Sequence, residues 1–254
     1  MPTQYGQIAA DLRRRIKNGE WPPGTPLPTQ TELCDEYGVA RATMTAALNQ
    51  LRGERLVTGV RGQGTFVLDW KPVRVPLSRY RAVLEPGGQL GPWETACQQA
   101  GVTGSMVTVE VATEPADADV AEALGLTEGT DTVVRRSRHA TLEDSTCQVH
   151  TAYYPAQLVE GTPLAGQEKV VGGVYGAMRA AGIIPTSADE HLSARPSTAE
   201  EAAELTLMTG FPVLTLDRLT RDQEGRRVEW LRMVIDPTRV MVVYDGLPLT
   251  RPAR

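Results

Sequence analysis

Residues 25–67 constrain this chain more than any other stretch. They read Thr25-Pro-Leu-Pro-Thr-Gln-Thr-Glu-Leu-Cys-Asp-Glu-Tyr-Gly38, then Val39-Ala-Arg-Ala-Thr-Met-Thr-Ala-Ala-Leu-Asn-Gln-Leu-Arg52, then two strand-like runs bent at a Gly-rich tip, ending at Val67. Thr29 and Glu32 have the T-x-x-E spacing of a capping box, which starts a helix whose Leu33 and Tyr37 share a face. Gly38 supplies the left-handed residue that a tight turn needs. The next helix is predicted over Ala40–Arg52, with Met44, Leu48 and Leu51 facing the core and Arg41, Ala42, Thr43, Thr45 and Ala46 left at its exposed N-terminal end. An earlier helix, about residues 5–18, carries an apolar stripe of Tyr5, Ile8, Leu12 and Ile16, and Pro22 and Pro23 bar its continuation. Arg13, Arg14, Arg15 and Lys17 fall mostly off that stripe, as a solvated face or as a contact to phosphate.

Two helices joined by a tight turn, followed by a Gly-rich hairpin, are the layout of a winged helix-turn-helix, which lays its second helix in the DNA major groove. The segment resembles the DNA-binding domain of the GntR family of bacterial transcription regulators. The matching pieces are Tyr5-x-x-Ile8, Gly19-x-x-x-x-Gly24, Leu27-Pro28, Glu32-Leu33, Val39-x-Arg41, Ala47-Leu48-x-x-Leu51 and Gly62-x-Gly64-Thr65-Phe66-Val67. The resemblance implies a double-stranded DNA operator, touched by Thr31, Arg41, Thr43 and Thr45 in the major groove and by Arg61, Gly62, Gln63 and Gly64 at the wing. Thr31, Ala40 and Thr45 depart from the family's usual Arg, Ser and Arg, so Arg41 remains from a usual set of several arginines. That implies an altered operator, more reliance on DNA shape, or weaker binding.

The 254 residues leave room for two domains, predicted as 1–68, a linker over 69–81 that allows a short strand, and 82–254. Net charge is -5, but residues 1–76 sum to +3 and the remainder to -8, which suits a nucleic-acid module joined to an acidic domain. Cys34, Cys97 and Cys147 lack metal-ligand or redox spacing, so no metal and no cofactor are expected. No secretory core or membrane-length apolar run is present, which predicts a cytoplasmic protein without membrane partners.

Beyond the linker, strands joined by hairpins alternate with helices, which predicts an α+β domain on an antiparallel sheet. Strands are expected over 107–113, 130–141, 145–154, 188–196, 213–221, 226–235 and 239–244, and helices over 93–100, 117–124, 170–181 and 198–209. This part resembles the UTRA effector-sensing domain of the HutC branch of the family. The matching pieces are Val134-x-Arg136-x-Arg138, Tyr153-x-Pro155, Val174-Tyr175, Ala199-x-x-x-Ala203-x-x-Leu205 and Val228-Glu229 with Arg239. The resemblance implies a chorismate-lyase-like fold, a homodimer, and a small anionic or polar effector such as a phosphosugar or carboxylate. Its pocket would include Arg136, Arg138, His150, Tyr175 and Glu229.

Arg136 and Arg138 share a strand face and repel unless an anion or acid lies between them. The alternative is a pair of surface or interface salt bridges, for instance to Glu143 or Glu229. Gly173 replaces a hydroxyl residue of sugar-phosphate binders, and His150 stands where many relatives carry Glu, which argues against the same amino sugar phosphate. The expected function is a transcription regulator, a repressor released by its effector. Two alternatives stand beside it: a metabolite-independent regulator of mobile-element genes, and a small-molecule-binding enzyme with a vestigial DNA-binding domain. No P-loop, Rossmann or G-x-S-x-G motif supports an enzyme.

Overall fold

The computed structural model of the chain describes residues 3–60, 63–68, 72–76 and 90–245. It divides into two units, Met1–Lys71 and Pro72–Arg254.

The first unit holds α1 (Gln4–Lys17), α2 (Gln30–Tyr37) and α3 (Arg41–Gly53), then an antiparallel hairpin of β1 (Val57–Val60) and β2 (Gly64–Val67). Its core joins Ile8 and Leu12 of α1, Leu33 of α2, Met44, Leu48 and Leu51 of α3, and Val57 and Val67 of the hairpin. Tyr5, placed on the apolar stripe by its spacing, is instead 40% exposed, because the first turn of α1 lies beyond the edge of this core. The Thr29–Glu32 capping box forms in both directions, and Gly38 closes α2 at φ 62°.

The basic run of α1 is neither simply solvated nor left bare for phosphate. Arg13 pairs with Glu54 just past α3, Arg14 with Asp11, and Arg15 with Glu20 and Glu36. Arg15 also stacks 4.5 Å over Trp21. The segment before α2 runs beside β2, with Leu27 N–H donating to the Thr65 carbonyl at 2.7 Å and Val67 N–H to the Thr25 carbonyl at 2.9 Å. The wing is thereby tied to the helices.

The second unit runs β3 (Val73–Pro76), α4 (Pro92–Ala100), β4 (Gly104–Pro115), α5 (Ala118–Leu124), β5 (Thr132–Leu142), β6 (Ser145–Pro155) and α6 (Ala156–Val159). It continues with α7 (Gly173–Ala180), β7 (Pro185–Pro196), α8 (Ala199–Glu204), β8 (Pro212–Asp222), β9 (Arg227–Ile235) and β10 (Val240–Val243). Six strands form one antiparallel sheet in the order β4-β5-β6-β9-β8-β7, while β10 pairs in parallel with β3. The stretch expected to be a linker therefore carries a strand of the second unit.

The helix expected over 198–209 stops at Glu204, although its Thr198–Glu201 capping box forms. Thr206 turns left-handed at φ 55°, which ends the helix and lets Leu205 bury.

Glu143 occupies the first central position of the two-residue turn joining β5 and β6, at φ 54° and exposed. A Cβ is strained there and glycine is the usual occupant. Glu143→Gly is expected to stabilise the chain by about 0.5–1 kcal/mol, the relief of strain being partly offset by a looser unfolded chain. Thermal unfolding checks this: Tm should rise by roughly 2–4 °C, and a fall would mean that the Glu143 side chain supports the turn.

Candidate functional site

Each unit presents one constellation of chemistry-bearing residues. On the first, α3 exposes Arg41, Ala42, Thr45, Asn49 and Arg52, and keeps Thr43 and Ala46 half-buried. These follow from helical period: Met44, Ala47, Leu48 and Leu51 fill the core, so the opposite face is bare. The Arg41 guanidinium makes no hydrogen bond among the described residues. Thr31 is exposed near the start of α2, and Gln63 and Gly64 are exposed at the wing, with Gly64 at φ 115°. Arg61 and Gly62 lie outside the described residues.

Two residues of this surface were missed from the sequence. Gln30, the first residue of α2, donates from Nε2 to Thr45 Oγ1 at 2.5 Å and to the Arg41 carbonyl at 3.2 Å. Arg52 donates to Asn49 Oδ1 at 2.8 Å and to Thr65 Oγ1 at 3.1 Å, linking the end of α3 to the wing. The i, i+3 spacing of Asn49 and Arg52 is a signal that could have found their contact; the reach across to Gln30 and Thr65 depends on packing between elements.

On the second unit, one face of the sheet carries a cavity of about 100 Å³, well above the roughly 10–15 Å³ that one ordered water needs. Arg136, Arg138, His150, Tyr175 and Glu229 all line it. Strand register brings them together. Arg138 lies opposite His150, which lies opposite Met233. Arg136 lies opposite Ala152, then Leu231, then Arg218. Ala152, fully buried and small, keeps that row shallow between two long side chains. Trp93 and Glu94 from α4, and Val174 and Tyr175 from α7, line the cavity as well. Gly104 lets α4 approach, because a Cβ there would meet Cys97 Sγ at 2.3 Å.

The two arginines have different surroundings. Arg136 is fully buried and donates to the carbonyls of Leu164, Gly166 and Glu168 and to Thr108 Oγ1. Burial, and then the neighbouring Arg138 charge, lower its pKa from the ordinary value. Arg138 is half-buried, its Nε has no partner, and it makes no hydrogen bond or ion pair among the described residues. Neither arginine pairs with Glu143 or Glu229 among the described residues.

Glu229 accepts instead from Tyr154 Oη at 2.9 Å and Thr220 Oγ1 at 3.0 Å, and Tyr175 Oη lies 3.0 Å from Thr220 Oγ1. Burial, and then the Glu229 charge, push the Tyr154 phenol well above its usual range, so it remains a donor. The other lining charges have partners: Arg218 pairs with Glu190, and Lys169 with Glu94 at 3.0 Å. Trp230 does not line the cavity and packs against Tyr153, ring centroids 5.7 Å apart, as its place next to Glu229 on an alternating strand requires. Among the described residues no group of three His, Cys, Asp or Glu could hold a metal ion, and no helix is long and apolar enough to cross a membrane.

A winged helix with an exposed face on its third helix, in one chain with an antiparallel sheet domain that encloses a cavity, has the build of a DNA-binding protein joined to a ligand-binding domain. Family models agree: residues 4–67 match the bacterial regulatory proteins of the gntR family, and residues 99–240 match the UTRA domain. A helix-turn-helix transcriptional regulator of Streptomyces coelicolor is 31% identical over 95% of this chain and 92% of its own length. The transcriptional repressor NagR of Bacillus subtilis is 26% identical over 94% of this chain and 93% of its own. Among solved structures, a GntR-family transcriptional regulator superposes with a TM-score of 0.61 at 29% identity, covering 97% of this chain and 98% of that one. PhnF from Mycobacterium smegmatis superposes with a TM-score of 0.60 at 25% identity, covering 93% and 97%. This chain belongs to the GntR family, as a HutC-like member with a UTRA domain, and is a sequence-specific DNA-binding transcriptional regulator. The family and its relatives are regulators and not enzymes, which sets aside the enzyme alternative.

Proposed function

We propose that the chain acts in the cytoplasm as a homodimeric repressor whose operator is released by a small metabolite bearing an anionic group. One observation carries the reading: the half-buried Arg138 guanidinium lines a cavity without a hydrogen bond or ion pair of its own among the described residues. An unpaired guanidinium beside a second, buried one calls for an anion. The N-terminus of α7, which has no side-chain cap, lines the same cavity through Gly173, Val174 and Tyr175. Glu229 and its hydroxyl neighbours suit the polar body of such a ligand. Relatives named as repressors, NagR among them, favour repression. The effector would act by its differential affinity for two arrangements of the dimer, lowering operator affinity as it binds. Arg136, His150 and Tyr175 would shape the pocket, and Thr31, Arg41, Thr43, Thr45 and the wing residues 61–64 would meet DNA.

The test is a footprint on DNA upstream of the chain's own gene, challenged with small phosphates and carboxylates. One compound should lift the wild-type footprint. Arg138→Gln should bind the operator equally well yet need about ten- to a hundredfold more of that compound, the loss of one charge-assisted contact. A footprint indifferent to every anion, or equal release of both proteins, would discard the proposal.

A further inference from the structure

Gln30 changes what the recognition helix can read. Its Nε2 donates to Thr45 Oγ1 at 2.5 Å and to the Arg41 carbonyl at 3.2 Å. Thr45 Oγ1 in turn donates its proton to that same carbonyl, one turn back, at 2.8 Å. The Thr45 hydroxyl is thus engaged both as donor and as acceptor inside the protein. Its residue is nonetheless exposed; with its proton spent on the Arg41 carbonyl the hydroxyl has no donor left for a base edge, and the methyl group stands beside it.

Ala42 and Ala46 flank Thr45 on the same helical face, three residues before it and one after, with Ala42 exposed and Ala46 half-buried. The N-terminal half of α3 therefore presents three methyl groups in a cluster beside the Arg41 guanidinium. In the major groove the apolar group that a base edge offers is the thymine C5-methyl, while guanine offers two acceptors suited to arginine.

We infer that Gln30 is a positioning residue that locks Thr45 so that Ala42, Thr45 and Ala46 read thymine methyl groups next to the base contacted by Arg41. This rests on α3 lying in the major groove. Specificity here would come from apolar contact rather than from further arginines, which fits threonine at positions 31 and 45.

Selection of full-length protein on a random duplex library, followed by replacement of single thymines with deoxyuridine in the enriched site, tests this. Wild type should lose about fourfold in affinity at one or two thymines per half-site, the fold-change for about 0.8 kcal/mol per buried methyl. Thr45→Val, which keeps a methyl and drops the hydroxyl, should retain that sensitivity. Thr45→Ser should lose it, and Gln30→Ala, which leaves the Arg41 carbonyl alone to hold the hydroxyl, should weaken it. An enriched site that tolerates deoxyuridine everywhere, or Thr45→Ser behaving as wild type, overturns the inference while leaving the docking in place. A library yielding no enriched sequence overturns both.

Discussion

Arg136→Ala is expected to destabilise the second unit by about 3–5 kcal/mol, lowering Tm by roughly 6–20 °C. The side chain is fully buried, and its guanidinium holds three carbonyls of the 164–168 segment together with Thr108. Truncation leaves those acceptors without a donor and opens a void beside the cavity. One effect runs the other way, since a buried cation next to Arg138 is itself unfavourable, as its lowered pKa shows. The geometry decides the balance: several hydrogen bonds to a single loop outweigh the relief of one repulsion screened by Arg138's partial exposure. Calorimetric melting of Arg136→Ala beside Arg138→Ala separates the two residues. The first should melt early and the second close to wild type. Equal, unchanged Tm values would show that the loop does not depend on Arg136. Mutating both arginines together, the natural experiment from their shared strand face, would confound folding with ligand binding.

Arg41→Ala should weaken operator binding by about 1–3 kcal/mol, roughly five- to 150-fold, and leave Tm within a degree. Arg41 is exposed at the first position of α3, and its guanidinium makes no hydrogen bond among the described residues, so no fold contact is lost. Titrations on operator and on scrambled DNA distinguish its role. A base contact would lower the operator affinity alone, whereas a phosphate contact would lower both and reduce the salt slope by about one. Full retention of operator affinity would mean that the N-terminal turn of α3 is not what enters the groove. Arg52 offers a useful contrast, because Asn49 and Thr65 already hold its guanidinium.

Much of this architecture was legible from local patterns. The Thr29–Glu32 and Thr198–Glu201 boxes form as their spacing requires, because a capping box involves only residues within one turn. The β5–β6 hairpin follows from alternation on either side of a two-residue turn. Local pattern overran at α8, where Leu205 and Leu207 extend an apolar rhythm that Thr206 breaks by turning left-handed. It left open the role of Arg13 and Arg15 of α1, whose partners Glu54 and Glu36 come from later in the chain. The parallel pairing of β10 with β3 joins strands from opposite ends of the second unit, and no short-range signal encodes it.

The candidate pocket divides along the same line. Alternation alone placed Arg136 and Arg138 on one face. Which arginine would be held by a loop and which left open to a ligand was decided by where residues 164–168 come to rest, a matter of tertiary contact. On the helix, periodicity exposed Thr45, but only the packing of α2 against α3 brought the Gln30 amide onto its hydroxyl. Backbone periodicity and capping are properties of neighbours in the chain, so the residues themselves determine them. Hydrogen-bond partners for long polar side chains lie tens of residues away, and folding alone selects among them.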